Sequence, residues 1–306
     1  MSLARSFVSW LAGRRAFTRA IAGTGMRLGF ARRFIAGETL EEALGAAAEL
    51  NAKGLRVIMN QLGENIRDAA DAEASYRAYS EILRQLAARR IDGSITIKPT
   101  QLALELDPAL CAELTLRLVR EAKALGNFVE IDMEHSSAVD ATLALFERAR
   151  SEYENVGLAL QGYLFRTEAD LRRLERHRPK IRLVKGAYQE PPEIAFAEKR
   201  QVDDNYRKLL GILFSGGFTP AVATHDEAML AEAKTLARAH GRTPGEWEVQ
   251  MLLGVRRDLQ ESLAKEGIGM RVYVTFGTEW VPYFMRRLAE RPANLAFVIR
   301  SLLKGG

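Results

Sequence analysis

From residue 54 onward the chain alternates short apolar runs with longer amphipathic stretches. The short runs are LRVIMN at 55–60, SITIKP at 94–99, FVEIDME at 128–134, VGLALQGYL at 156–164, IRLVKGAY at 181–188, TPAVATHD at 219–226, WEVQML at 247–252 and MRVYVTFG at 270–277. Between them, segments such as DAEASYRAYSEILRQLAARR, PALCAELTLRLVREAKAL and EAMLAEAKTLARAHG repeat apolar positions at helical spacing and stop near Gly, Asn or Pro. Short continuous apolar strands are what a parallel sheet covered on both faces requires, and eight βα units in about 250 residues is the size of a (β/α)8 barrel. A doubly wound open sheet is the runner-up. Closure is preferred because eight units close evenly and because polar residues collect where each run ends.

No Ser/Pro/Gly tract interrupts residues 54–306, so the expected organisation is an N-terminal helical arm at 1–53 and one catalytic barrel at 54–306. The end of the arm, ETLEEALGAAAELNAK at 38–53, predicts a helix stopping at Gly54.

The polar residues at the run ends are the candidate chemistry, since barrel sites gather at the C-terminal ends of strands. They include Lys98, Asp132, Glu134, Gln161, Tyr163, Arg166, Arg182, Lys185, Thr224, His225, Asp226, Gln250 and Tyr273. Any one of these could be structural, a Lys98–Asp132 ion pair for example. Seven run ends that all carry polar or ionisable groups point to a site.

Several chemistries fall away. The histidines at 135, 177, 225 and 240 show no HxH or HExxH spacing, and Asp132 with Glu134 at i, i+2 is a weak metal signal. The single Cys111 excludes a thiolate cluster or disulfide framework and reads as a small buried hydrophobe in a reducing compartment. GTGMRLG at 23–29 misses the dinucleotide fingerprint by one position and follows no strand, and no phosphate-binding Walker sequence is present.

Charge changes the picture of the arm. The net charge is +5, yet residues 1–37 hold seven Arg and no acid, leaving a body of −2. A nucleic-acid protein would spread its cations over the folded face, so no nucleic-acid partner is expected. Arginines interrupt the apolar runs of the arm before the roughly 18 residues a bilayer span needs. Packing on the barrel, contact with an anionic membrane surface and a transit peptide are its three readings.

After the eighth run, EWVPYFMRRLAER predicts a helix placing Tyr283, Arg286, Arg287 and Glu290 along one side, beside the barrel mouth. Paired guanidinium groups suit a carboxylate, and Glu290 suits an ammonium or amine proton. An amino acid presents both groups. An amphipathic surface helix with i, i+4 ion pairs is the bland alternative.

Together the stretches SITIKPTQLAL, EIDMEHS, GLALQGYLFRTEADL, RLVKGAYQEP, AVATHD, WEVQMLLGVR and YVTFGTEWVPYFMRRLAER resemble the proline dehydrogenase family, a flavin-dependent (β/α)8 barrel. The resemblance covers seven of the eight strands in order, and RLVKGAY followed by the tyrosine-and-RR helix is its most specific part. It implies oxidation of L-proline to Δ1-pyrroline-5-carboxylate with FAD as hydride acceptor.

By that resemblance Arg286, Arg287 and Lys98 hold the proline carboxylate, Glu290 partners the ring nitrogen, and Tyr273 and Tyr283 wall the pocket. Arg182 sits by the flavin ring, with Asp132 orienting Arg182 or Lys98. Gln161 hydrogen-bonds the isoalloxazine edge, and Met133 is a further cofactor-binding residue. Lys185, Gly186, Ala187 and Tyr188 serve the phosphates and ribityl chain, Thr224 and His225 the adenylate side, and Gln250 the adenine or ribityl region. The implied partners are a membrane quinone as acceptor and a separate pyrroline-5-carboxylate dehydrogenase downstream. The implied location is cytoplasmic, peripheral at the inner face of the cytoplasmic membrane if the arm docks there.

Two other functions fit some of the same residues. A Schiff-base aldolase barrel also carries a strand-end lysine, with Lys98 and Lys185 as candidates, and would be colourless and trapped by borohydride. A non-catalytic member would bind flavin or an amino acid without turnover.

Overall fold

The computed structural model describes residues 31–63 and 66–290, with side chains through Met285. Its strands are β1 Arg56–Gln61, β2 Gly93–Ile97, β3 Val129–Ile131, β4 Val156–Gln161, β5 Lys180–Val184, β6 Thr219–Ala223, β7 Glu248–Leu252 and β8 Gly269–Phe276. Each pairs in parallel with the next, and β8 returns to β1, closing the barrel as the alternating pattern predicts.

Helix α1 Leu40–Asn51 precedes β1. The later helices follow their strands: α2 Ala69–Ala88, α3 Pro108–Ala124, α4 Val139–Glu152, α5 Thr167–Leu174, α6 Lys199–Ser215, α7 Glu227–Ala239, α8 Arg257–Lys265 and α9 Trp280–Glu290. Local sequence sets their starts. Asp68, Asp107 and Asp226 accept hydrogen bonds from the first free N–H groups of α2, α3 and α7, and Thr39 with Glu42 forms a capping box at α1.

Along the strands the apolar residues Ile95, Ile97, Val129, Ile131, Leu158, Leu160, Ile181 and Leu183 are fully or nearly fully buried. The residues between them, among them Thr96, Glu130 and Arg182, belong to the other face, which looks into the barrel. Six of the eight expected runs overshoot their strands at the C-terminal end. FVEIDME shortens to Val129–Ile131 as a strand, although the Asp132 N–H still donates to the Ile97 carbonyl of β2 at 2.9 Å.

Residues 31–37 pack against the barrel. Phe34 and Ile35 are buried, the Ala36 N–H donates to the Thr275 carbonyl at 2.8 Å, and the Gly277 N–H donates to the Gly37 carbonyl at 3.1 Å. The Trp280 indole N–H, at the start of α9, donates to Glu38 at 2.9 Å. The expectations for residues 1–30 lie outside the described residues. Among the described residues no helix is long and apolar enough to cross a membrane.

Candidate active site

The strand register makes room for one long cation. Arg182 on β5 stands between Ala159 on β4 and Ala221 on β6, and these small neighbours leave its guanidinium free to reach across the barrel. It is 3% exposed, pairs with Asp132, and donates to the Thr96 hydroxyl at 2.9 Å. Glu130 lies 3.7 Å away, and the Tyr273 ring stacks 5.2 Å from the guanidinium carbon.

Asp132 is the hub. One of its oxygens takes Arg182; the other accepts from the Tyr273 hydroxyl at 3.0 Å and lies 3.8 Å from the Lys98 ammonium. The expected Lys98–Asp132 pair is therefore present, inside a larger cluster. Burial works against charge on Arg182, but Asp132 and Glu130 outweigh it and raise its pKa. Burial and the Asp132 charge hold the Tyr273 phenol well above its ordinary value, so it remains a hydrogen-bond donor.

Below this cluster a polar core continues toward the N-terminal floor of the barrel. The Gln250 amide donates to Glu248 at 2.9 Å and lies 3.4 Å from Glu130, and Arg271 grips Glu248 at 2.9 and 3.1 Å. Burial raises the Glu130 pKa further than Arg182 and Lys180 can lower it. Glu248 is equally buried, but Arg271 and Lys180 overcome the desolvation and bring it down to about 2.

Glu134 does not share a strand face with Asp132. It turns away to accept from the Thr100 N–H at 2.9 Å and hydroxyl at 2.7 Å, while its own carbonyl accepts from Gln161 at 2.7 Å. Among the described residues no group of three potential metal ligands exists.

The other expected residues lie on the same rim. Met133 is buried next to Asp132. Lys185 sits between Asp203 at 2.5 Å and Asp226 at 2.9 Å, a double pairing that sequence reasoning did not foresee. Gly186 has φ +131, and a Cβ there would collide with the Tyr163 ring, so only glycine fits. Ala187 is exposed, and Tyr188 is half-buried with its ring edge-on to His135 at 6.3 Å.

The Thr224 hydroxyl accepts from the Asp226 N–H at 3.1 Å, and His225 Nε2 accepts from the Leu252 N–H at 3.0 Å, which puts the ring proton on Nδ1. Gln250 Oε1 is buried with no hydrogen-bond partner among the described residues. Arg166, another run-end residue, pairs outward with Asp140 and Asp170. On α9, Tyr283 is buried; the backbone of Arg286, Arg287 and Glu290 is helical, and their side chains lie outside the described residues.

The sequence reading missed Thr96, Glu130, Arg271 and the role of Glu248. Period two was the available signal. Glu130 stands two before Asp132, Arg271 two before Tyr273 and Glu248 two before Gln250, so each points into the barrel with its partner.

A closed parallel barrel with buried ionic groups converging at the C-terminal mouth defines a (β/α)8 enzyme fold. The family model for proline dehydrogenase matches residues 43–300. Proline dehydrogenase 1 of Bacillus subtilis is 38% identical over 296 residues, covering 96% of this chain and 97% of that one. The proline dehydrogenase of Deinococcus radiodurans is 39% identical, with 90% of each chain covered. Proline utilization A from Bdellovibrio bacteriovorus, inactivated by N-propargylglycine, shares the fold at TM-score 0.82 and 24% identity, over 89% of this chain and 34% of its own. The present chain thus spans about a third of that protein. The chain belongs to the proline dehydrogenase family.

Proposed function

We propose that this protein oxidises L-proline to Δ1-pyrroline-5-carboxylate at the barrel mouth, with FAD as its cofactor. The observation that carries the reading is the convergence of Lys98 and Asp132, just past β2 and β3, with Arg182 and Tyr273 on β5 and β8, in a chain of this family.

The residues present suit a flavin. Arg182 is a buried cation fixed in place by Asp132 and Thr96, the kind of group that stabilises negative charge arriving on a flavin ring. Gln250 Oε1 is a buried acceptor without a protein donor among the described residues, and Gly186 offers bare backbone at the exposed rim. Met133, Gln161, Lys185, Ala187, Tyr188, Thr224 and His225 complete the proposed cradle. Bound FAD supplies the acceptor for the hydride lost from the carbon beside the ring nitrogen.

The chain's own groups bind and orient the substrate. Lys98 with Arg286 and Arg287 is assigned to the carboxylate through charge-assisted hydrogen bonds, and Glu290 to the amine. Tyr273 and Tyr283 wall the aliphatic ring and exclude water, which favours the neutral amine needed for hydride loss. Asp132, by holding Arg182, Tyr273 and Lys98 at once, keeps substrate and cofactor groups in one fixed frame.

The reading extends to a membrane quinone as final acceptor, a separate dehydrogenase consuming the product, and a cytoplasmic location with the basic arm against the inner membrane surface. Anaerobic addition of L-proline to the purified protein should bleach the flavin band in proportion to proline added. A colourless protein, or a flavin band that proline leaves untouched, overturns the proposal.

A further inference from the structure

The opposite end of the barrel holds a cavity of about 440 Å³ that the chemistry of the mouth does not use. It lies between the starts of β4, β5 and β6, and its lining carries three cations, Arg150, Arg178 and Lys180, against one acid, Glu154. We infer that this floor cavity binds a small multivalent oxyanion through Arg178 and Lys180.

Arg178 is the first support. It caps a 3-10 turn in the left-handed conformation, with φ 47 and ψ 48. Glycine or asparagine ordinarily fills such a cap, and a residue before proline, here Pro179, is ordinarily pushed to extended backbone. Arginine there holds strained left-handed backbone, as Arg90, Ala103 and Arg256 do elsewhere, so the support comes from what surrounds its side chain. The segment is braced, since Arg150 donates to the His177 carbonyl at 2.7 Å and the Arg178 carbonyl at 3.4 Å. The Arg178 guanidinium is exposed and makes no hydrogen bond or ion pair among the described residues.

Lys180 is the second. Its ammonium lies over the Phe128 ring at 4.7 Å and 3.3 Å from Glu248. Glu248 is already gripped by Arg271 and has Arg56 at 3.9 Å, so three cations share one carboxylate. That surplus leaves Lys180 able to serve a second anion without stranding Glu248. Arg150 is committed to carbonyls, while Arg178 and Lys180 stand two residues apart at the cavity wall. A volume of this size exceeds one phosphate group and suits two linked anionic groups.

Calorimetric titration of the full-length protein with inorganic pyrophosphate at constant ionic strength tests the assignment. Saturable one-to-one binding is expected, weakened at least roughly tenfold by Arg178→Gln and by Lys180→Gln, the loss of one charge-assisted contact. Thr219→Glu, which adds a carboxylate to the lining without touching either cation, should abolish it and serves if Lys180→Gln fails to fold. Lys98→Gln and Lys185→Gln at the mouth should leave it unchanged. Absence of saturable heat, or heat lost in the mouth variants and kept in Arg178→Gln, overturns the inference.

Discussion

The Tyr273 hydroxyl on β8 donates to Asp132, at the end of β3, at 3.0 Å across the barrel mouth. This contact and the stacking of the same ring on Arg182 lock one aromatic face toward the proposed substrate position. Tyr273→Phe keeps the stack and removes one donor from a buried carboxylate. The expected cost is about 1–3 kcal/mol of unfolding free energy, read by urea denaturation, together with reduced proline turnover. Full stability and full turnover in the variant would remove this contact from the site's framework.

Arg182 neutralises two buried acids, so its removal is not a local event. Arg182→Met should destabilise the fold by about 3–5 kcal/mol, because Asp132 and Glu130 lose their shared cation. Arg182→Lys restores charge without the planar fork and should recover stability more than flavin reduction rate. Stopped-flow reduction by proline separates the two effects; a normal rate in the lysine variant would exclude a flavin role for the guanidinium.

Arg286→Gln and Arg287→Gln should each raise the proline KM steeply, by roughly 2–5 kcal/mol if the carboxylate is desolvated. Bound flavin should be retained. Unchanged steady-state kinetics in both would end the carboxylate assignment.

Cys111 is buried on α3, with its thiol against the Pro99 carbonyl at 3.5 Å, and burial pushes the thiol pKa up to about 12. Iodoacetamide at pH 8 should therefore leave the folded protein unmodified and label the single thiol after denaturation. The raised value also sets a sign: this group's contribution to stability is complete below the ordinary thiol pKa and disappears as pH rises through about 12. Rapid labelling of the native protein would contradict the burial.

The arm is testable by truncation. Phe34 and Ile35 are buried against the barrel, and each contributes about 1.5–3 kcal/mol by burial alone. A chain beginning at Glu38 should melt below one beginning at Ala31, because only the latter keeps Phe34 and Ile35. If the arginine-rich first thirty residues dock on membrane, anionic liposomes will retain the full chain over the Ala31 chain. Equal retention returns the arm to packing.

The barrel was legible because a buried parallel strand writes itself as a continuous apolar run, and all eight runs coincide with strands. Lys98 and Asp132 were legible because strand ends announce the mouth, and Arg182 and Tyr273, inside β5 and β8, through the family resemblance. Glu130, Arg271 and Thr96 were not, because they sit inside apolar runs where a single polar letter reads as noise until register pairs it with a partner. Lys185 shows the other limit. Asp203 lies near the start of an amphipathic helix, and only the return of α6 over β5 and β6 brings it to the ammonium. The seam at residues 31–37 was hidden for a related reason, since its backbone bonds to β8 lie more than two hundred positions away.

The Trp280–Glu38 hydrogen bond gives that seam a mechanical meaning. It ties the first turn of α9 to the segment that leads into α1. The helix bearing Arg286 and Arg287 cannot swing from the mouth without breaking this stitch or dragging α1 with it. Whatever anchors the amino terminus thereby also limits how far the doorway opens.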